Sequence, residues 1–452
     1  MRNNRGFGNA LTPGYWNLFT RFLGFRHHTH THIMHIAIIG AGLAGVSAAW
    51  YLSQTGHRVT VIERDAAPAL ETSYANGGQI SISHPEPWAN PGAPMQVLRW
   101  LGKKDAPLLF RWPAEAARIR WGLEFLRECL PGRTRQNTLA IAHLAAFSGQ
   151  RLKALREETG IEYNQLSRGV LHMYFSPENL HHGEQQHKIL QELGIGSRML
   201  DRDACLELEP ALAHLAPHLV GAMLGSDDES GDAQRFATEL ARCCREAGVE
   251  FVFDTSVASI EADGQRVSGL SLRSGNGEAR LLQADAYVLA AGSYSPQLMR
   301  PHGERLAIYP VKGYSTTMEL AQPDKAPTVS LTDESRRIVC SRFGNRLRIA
   351  GTAELNGYNL DLDLDRCSAL LRWAEDMFPG ACNTAEPNYW TGLRPTTPSN
   401  LPIIGRSRLA NLFYNTGHGT LGWTLACGSA QALADIMNGQ QPAVDYPFWK
   451  SR

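Results

Sequence analysis

Ile36, Ala37, Ile38 and Ile39 form an unbroken apolar run, which marks a strand buried on both faces. Gly40, Gly42 and Gly45 follow at G-x-G-x-x-G spacing, and an apolar-periodic stretch from Ala44 to Gln54 reads as a helix ended near Gly56. Arg58 to Ile62 supplies a second strand, so the pattern predicts a βαβ unit. From Met95 to Leu130 the chain is interrupted but amphipathic, with Trp100, Leu101, Leu108, Leu109, Phe110, Trp112, Trp121 and Phe125. Core packing or cover over a site is the expected use of these residues, with a membrane-facing patch as the alternative. Residues 138–156 read as helix, 169–175 as strand and 201–210 as a short acidic helix stopped by Pro210. A helix from about Asp232 to Ala247, a strand at 249–253 and a hairpin over 257–261 and 267–272 follow. A buried strand at 285–289 runs into AAGSYSP, residues 308–354 are β-rich, and a helix from about Thr424 to Met437 closes the chain.

Nucleotide-type elements therefore occur at the start, before residue 300 and at the end. The expected fold is α/β: a Rossmann-like, glutathione-reductase-like nucleotide domain with an inserted α+β domain containing a large antiparallel sheet. Residues 34–95, 221–300 and 395–452 are assigned to the first, and 96–220 and 301–394 to a substrate or cap domain.

In the first turn, Gly40 makes the tight bend, Gly42 admits a pyrophosphate and Gly45 lets the helix pack close. Ile39, Leu43 and Ala44 flank that approach, with helix N–H groups aimed at phosphate. Glu63, 18 residues beyond Gly45 and next to Arg64, is placed to accept ribose hydroxyls and disfavours a 2′-phosphate. Ala291 and Gly292 give a second small-residue turn after a buried strand. GHGTLGW (417–423) sets a glycine-rich helix start where a reduced flavin's negative pyrimidine edge could rest, which favours FAD over NAD.

Lysine plus arginine (44) equals aspartate plus glutamate (44), giving no sign of a nucleic-acid partner. Eight scattered cysteines without CxxC pairs read as reduced, packed thiols in a cytosolic compartment, and no metal site is expected. No apolar run approaches the roughly 20 residues of a membrane span. Residues 1–33 contain no acid and end in a histidine-rich stretch. They read as a disordered leader before Met34, with a targeting peptide or a metal site as alternatives.

From Met34 onward the chain resembles the D-amino acid dehydrogenase small-subunit family, within the flavoprotein group of D-amino acid oxidase, glycine oxidase and sarcosine oxidase. GAGLAGVSAAWYLSQTGHRVTVIER, ETSYANGGQIS with PWANPGAP, PVKGYS, TGLRPTTPSNLPIIGR and NTGHGTLGWTLACGS carry the resemblance. It implies FAD-dependent oxidative deamination of small neutral D-amino acids such as D-alanine to 2-oxo acids and ammonia. Electrons would pass to a quinone or the respiratory chain, and the enzyme would be cytoplasmic, with peripheral contact at the inner membrane. It also implies that Gly40, Gly42, Gly45 and Glu63 bind the ADP half and that Val257 meets adenine through its backbone. Ser73, Asn76, Gly77 and Gln79, with Gly417, Gly419, Thr420, Leu421 and Gly422, would surround the flavin. Alternatives are an enzyme for glycine, sarcosine or a cyclic imino acid on the same fold, an NAD-dependent dehydrogenase, or a non-catalytic flavin binder.

A carboxylate substrate calls for a fixed guanidinium. Arg394 in GLRP is the expected anchor, on a loop stiffened by Pro395. Lys312 and Tyr314 in PVKGYS, Arg348, on a strand that the resemblance to sarcosine oxidases implies faces the flavin, and His418 in the glycine-rich loop are further candidates for orienting substrate or flavin; His84 is a weaker one.

Overall fold

Strands His35–Ile39 and Arg58–Ile62 pair in parallel across the helix Leu43–Gln54, as the periodicity predicts. The reason for the unbroken apolar run is visible in the packing. Ile36 and Ile38 enter the core beneath the helices, while Ala37 and Ile39 enter a separate core on the opposite face. These two strands sit inside a seven-stranded sheet whose order is Trp449–Lys450, Ile403–Arg406, Leu412–Thr416, Ala286–Leu289, His35–Ile39, Arg58–Ile62, Glu250–Val252. Its strands are parallel except for the pair Ile403–Arg406 with Leu412–Thr416. Helices Leu43–Gln54, Ala233–Glu246 and Gly422–Met437 cover one face. The helix Ala233–Glu246 is capped by Asp232, whose side chain accepts from the N–H groups of Gln234 and Arg235. An antiparallel three-stranded sheet (Thr255–Asp263, Arg266–Ser274, Ala279–Leu282) packs on the other side.

The computed structural model describes residues 33–103, 106–111 and 115–450. The expectations for residues 1–32 and for Trp112 lie outside the described residues. Met34–Arg452 form one compact unit.

A second sheet of nine strands is mostly antiparallel. Its path runs from Asn388–Thr396 through Tyr309–Glu319, Arg346–Leu355, Ile338–Phe343 and Ser330–Asp333 to Val170–Tyr174, Gly221–Gly225 and Ser197–Asp201. Leu108–Phe110 joins it in parallel beside Arg346–Leu355. Its outer face rests on the helix Leu364–Met377, with Leu370, Trp373 and Met377 packed against Leu331, Leu347 and Ile349. Two assignments shift. Gly221–Gly225, expected to open a nucleotide segment, pairs on both sides within this second sheet, because an apolar strand suits the middle of either sheet. The strand Asn388–Thr396 runs through residue 394, where a boundary between segments was expected.

All eight cysteines are buried and unbridged. Among the described residues no helix is long and apolar enough to cross a membrane.

Candidate active site

A cavity of about 600 Å³ lies where the first glycine turn faces the second sheet. That volume is in the range of small-molecule and cofactor pockets. Its wall includes Ile39, Gly40, Gly42, Leu43, Ala44, Glu63 and Arg64 from the βαβ unit. Ser73, Asn76, Gly77 and Gln79 come from the following loop, and Val257, Ala291 and Gly292 from later segments. His418, Gly419, Thr420, Leu421 and Gly422 close it at the helix Gly422–Met437.

The three glycines of the turn are needed for different reasons. Gly40 has φ +102°, and a Cβ there would lie 2.8 Å from the Ala290 carbonyl oxygen. A Cβ on Gly45 would lie 1.9 Å from the Gly40 oxygen, so this position stands behind the turn and not in the cavity wall. At Gly42 a Cβ would meet only Ser73 Oγ at an ordinary 3.6 Å. The protein's own packing therefore does not demand glycine at 42, and the missing side chain leaves room on the cavity side for a pyrophosphate to approach.

Glu63 is nearly buried and accepts at both oxygens, from Ala41 N–H (2.6 Å) and Asp65 N–H (3.1 Å). Burial pushes its carboxyl above the usual range. Each oxygen keeps a further lone pair for a ribose hydroxyl. Arg64 stacks over the Tyr294 ring and pairs with Glu71. Asn415 Nδ2 donates to the Ala44 carbonyl, while its Oδ1, beside the cavity, is buried without a partner. The helices starting at Leu43 and Gly422 both lack an N-cap side-chain bond; the Leu43 N–H donates to Ser73 Oγ at 3.3 Å, and further first-turn N–H groups have no capping side chain. This donor-rich, anion-favouring cradle fits a dinucleotide.

At the far wall stands Arg394. It lies within a strand and not on the loop expected from its proline: Pro395 sits opposite Pro310 on the terminal strand of the sheet, where a missing N–H is tolerated. Arg394 Nη1 donates to the Thr352 carbonyl at 2.9 Å. No carboxylate pairs with it among the described residues, and burial lowers its pKa to about 10. Room for the guanidinium comes from Gly313, where a Cβ would stand 2.3 Å from Arg394 Cζ. The carbonyl it holds belongs to a bulge: Gly313 faces an extra residue between Gly351 and Glu354, and Thr352 takes φ +58°. A β-branched residue in that region is strained, and such strain collects at functional sites. An unpaired guanidinium beside a strained bulge is arranged for an anionic group.

Three expectations need correction. Lys312 is outside the cavity wall; its ammonium donates to Asn359 Oδ1 (3.0 Å) and the Asp361 carbonyl (2.7 Å) beneath the sheet. Tyr314 does line the wall, with its hydroxyl donating to Glu354 at 2.7 Å beside Lys312. Strand alternation explains Lys312, because the preceding position turns away from the cavity side that Gly313 takes. Arg348 also lies outside. It lines a separate pocket of about 210 Å³ and donates to Thr317 Oγ1 and the Asn76 carbonyl, with Asp232 3.9 Å away. Gly417, at φ +80°, turns the chain behind the wall rather than forming it. His418 does reach the cavity, yet its Nε2 is held 2.9 Å from Ser429 Oγ and burial lowers its pKa to about 4, so it is a neutral ring.

Sequence reasoning missed Gly313 and Thr352, since a bulge has no local signature. It also missed a buried charge cluster on the wall. His172 lies between Glu334 (2.9 Å) and Asp228 (3.9 Å), stacked on His84. Burial alone would lower the His172 pKa, but the two carboxylates outweigh it and raise it to about 9.

A dinucleotide cradle facing a cation-anchored sheet defines an oxidoreductase that binds its cofactor and an anionic substrate in one cavity. Residues 35–436 match the DAO family of FAD dependent oxidoreductases, and the chain belongs to that family. It is 50% identical over 415 residues to the D-amino acid dehydrogenase of Dechloromonas aromatica (strain RCB), covering 92% of this chain and 99% of that protein. It is 42% identical over 412 residues to the D-amino acid dehydrogenase of Agrobacterium fabrum, covering 91% and 97%. In fold it is similar to glycine oxidase from Geobacillus kaustophilus, with TM-score 0.70, 23% identity, and coverage of 93% and 99%. L-proline dehydrogenase from P. horikoshii gives TM-score 0.68 at 15% identity, with coverage of 90% and 94%. The cofactor is FAD.

Proposed function

We propose that this protein is a D-amino acid dehydrogenase, converting small neutral D-amino acids to 2-oxo acids and ammonia. The observation that carries it is the Arg394 guanidinium on the wall of the FAD cavity, with no carboxylate among the described residues to neutralise it. Relatives named D-amino acid dehydrogenase match over nearly their whole length, and the D configuration follows from them. When bound in this cavity, FAD would supply the two-electron oxidising power for the substrate Cα–H bond.

The rest is positioning. Gly40, Gly42 and the N–H groups of the helix starting at Leu43 hold the pyrophosphate, and Glu63 holds ribose. The loop from Ser73 to Gln79 and the helix start at Gly422 bracket the flavin. Arg394 binds the substrate carboxylate with its geometry fixed by Thr352 and Gly313. His418, being neutral, adds no positive charge beside the substrate amine, which must itself be neutral to leave as an imine. Hydrolysis of that imine releases the 2-oxo acid. The division of labour follows the sheets: nucleotide on the seven-stranded sheet, substrate on the nine-stranded one. The electron acceptor is a quinone, reached at a membrane surface.

Anaerobic mixing of the FAD-loaded protein with D-alanine, L-alanine, glycine and sarcosine tests this reading. Bleaching of the flavin by D-alanine is expected. Reduction by glycine or sarcosine alone would move the assignment to the other enzyme of this fold.

A further inference from the structure

The sixteen large apolar side chains exposed among the described residues are not scattered: seven lie between Met95 and Leu130. Met95, Leu98 and Leu101 project from the helix Ala93–Trp100 and its end. Ile119, Leu123, Leu126 and Leu130 form a stripe along and just beyond the helix Ala116–Glu128, at spacings of three and four. The outward face is fixed by what the other face does. Trp121 is buried and donates from Nε1 to the Thr396 carbonyl at 2.8 Å, and Arg118 donates to the Leu355 carbonyl at 3.0 Å. The leucines thus remain outside although the helix is firmly docked. An apolar patch of this kind on a protein surface marks a contact.

Charge identifies the contact. Arg99, Lys103, Arg127 and Arg135, within five residues of these apolar side chains in sequence, are exposed, and none has an ion-pair partner among the described residues. The two acids of the second helix are already engaged, Glu124 by Arg120 and Arg305, Glu128 by Arg133 and Asn137. The excess is local, since the chain as a whole carries equal numbers of acidic and basic residues. Exposed leucines with unpaired cations next to them in the same segment suit a bilayer surface with anionic headgroups. The inner sides of the same helices supply Val97, Trp100 and Phe125 to the FAD cavity wall.

We propose that this two-helix face is the membrane-docking surface, lying flat on an anionic bilayer with the cavity wall directly behind it. The proposal gives a location to the membrane-surface acceptor named above and rests on that part of the functional reading. An acceptor dissolved in the bilayer would reach the flavin past Val97 and Trp100 without crossing water.

The test is co-sedimentation of the FAD-loaded protein with phosphatidylcholine vesicles, with and without phosphatidylglycerol. Binding should require phosphatidylglycerol and weaken with salt. The variant Leu98→Asp/Leu123→Glu/Leu126→Glu should lose binding by at least about tenfold. Its flavin should still be bleached by D-alanine, because none of the three lines the cavity. Equal binding of variant and wild type, or no binding by wild type to either vesicle, overturns the docking surface. So does a wild-type dimer that the triple variant dissociates, which would make the face a contact between two copies. D-alanine bleaching is read separately, so a failure of the enzymatic assignment is distinguishable from a failure of docking.

Discussion

Arg394 shows how one side chain's role depends on a neighbour that has no side chain. Its guanidinium occupies the space a Cβ on Gly313 would take, 2.3 Å from Cζ. Gly313→Ala should therefore act like a milder Arg394→Ala: both variants should keep their flavin absorbance and raise the KM for D-alanine. Removing the guanidinium should cost about 2–5 kcal/mol of substrate binding. Steady-state kinetics with D-alanine decides; unchanged KM in Arg394→Ala would take that residue out of the substrate site. Arg394 could be picked out in the sequence because a GLRP motif and a carboxylate substrate both point to it. That Lys312 and Arg348 lie outside the cavity wall was not legible, because motif proximity says nothing about which side of a strand a residue takes. Thr352 was invisible, since a φ of +58° at a β-branched residue runs against its local preference.

Elements with a strong period were legible. The strand, turn and helix from His35 to Gln54 and the capped helix Ala233–Glu246 carry their signals locally. The helix Leu364–Met377 passed unremarked, although Asp363 caps it by accepting from the N–H groups of Asp365 and Arg366. The pairing of Gly221–Gly225 was unreadable because its partners, Val170–Tyr174 and Ser197–Asp201, are remote and its own residues suit either sheet. The first turn allows a sharp test of which glycines serve the fold and which serve the ligand. Gly45→Ala forces a Cβ against the Gly40 oxygen at 1.9 Å and should yield unfolded or much destabilised protein. Gly42→Ala should fold, with a melting temperature near wild type in the apoprotein, and bind FAD more weakly. Titration of apoprotein with FAD separates the two, and undiminished FAD affinity in Gly42→Ala would show that no ligand passes over that residue.

At the scale of the whole molecule, two buried histidines bound the pH range of stability from opposite sides. The ordinary histidine value is 6.5, and burial brings His418 down to about 4. Between these values the unfolded chain holds the extra proton, so stability falls as pH drops from 6.5 toward 4. His172 is raised to about 9 by Asp228 and Glu334 against the opposing effect of burial. Its contribution is complete below 6.5 and is lost as pH rises through 9. Each should be worth on the order of 3 kcal/mol at most. Melting temperature followed from about pH 4 to about pH 10 should fall at both ends. His418→Gln should flatten the acid limb and His172→Gln the alkaline limb. A third property belongs to the order of strands in the seven-stranded sheet. His35–Ile39 lies beside Ala286–Leu289, which lies beside Leu412–Thr416, and the cavity closes on residues 418–423. Residues 39–45 leave the ribosome long before residues 418–423, so the cofactor's pocket stays open on one side until Gly422 has been made, and a chain stopped before that point cannot close it.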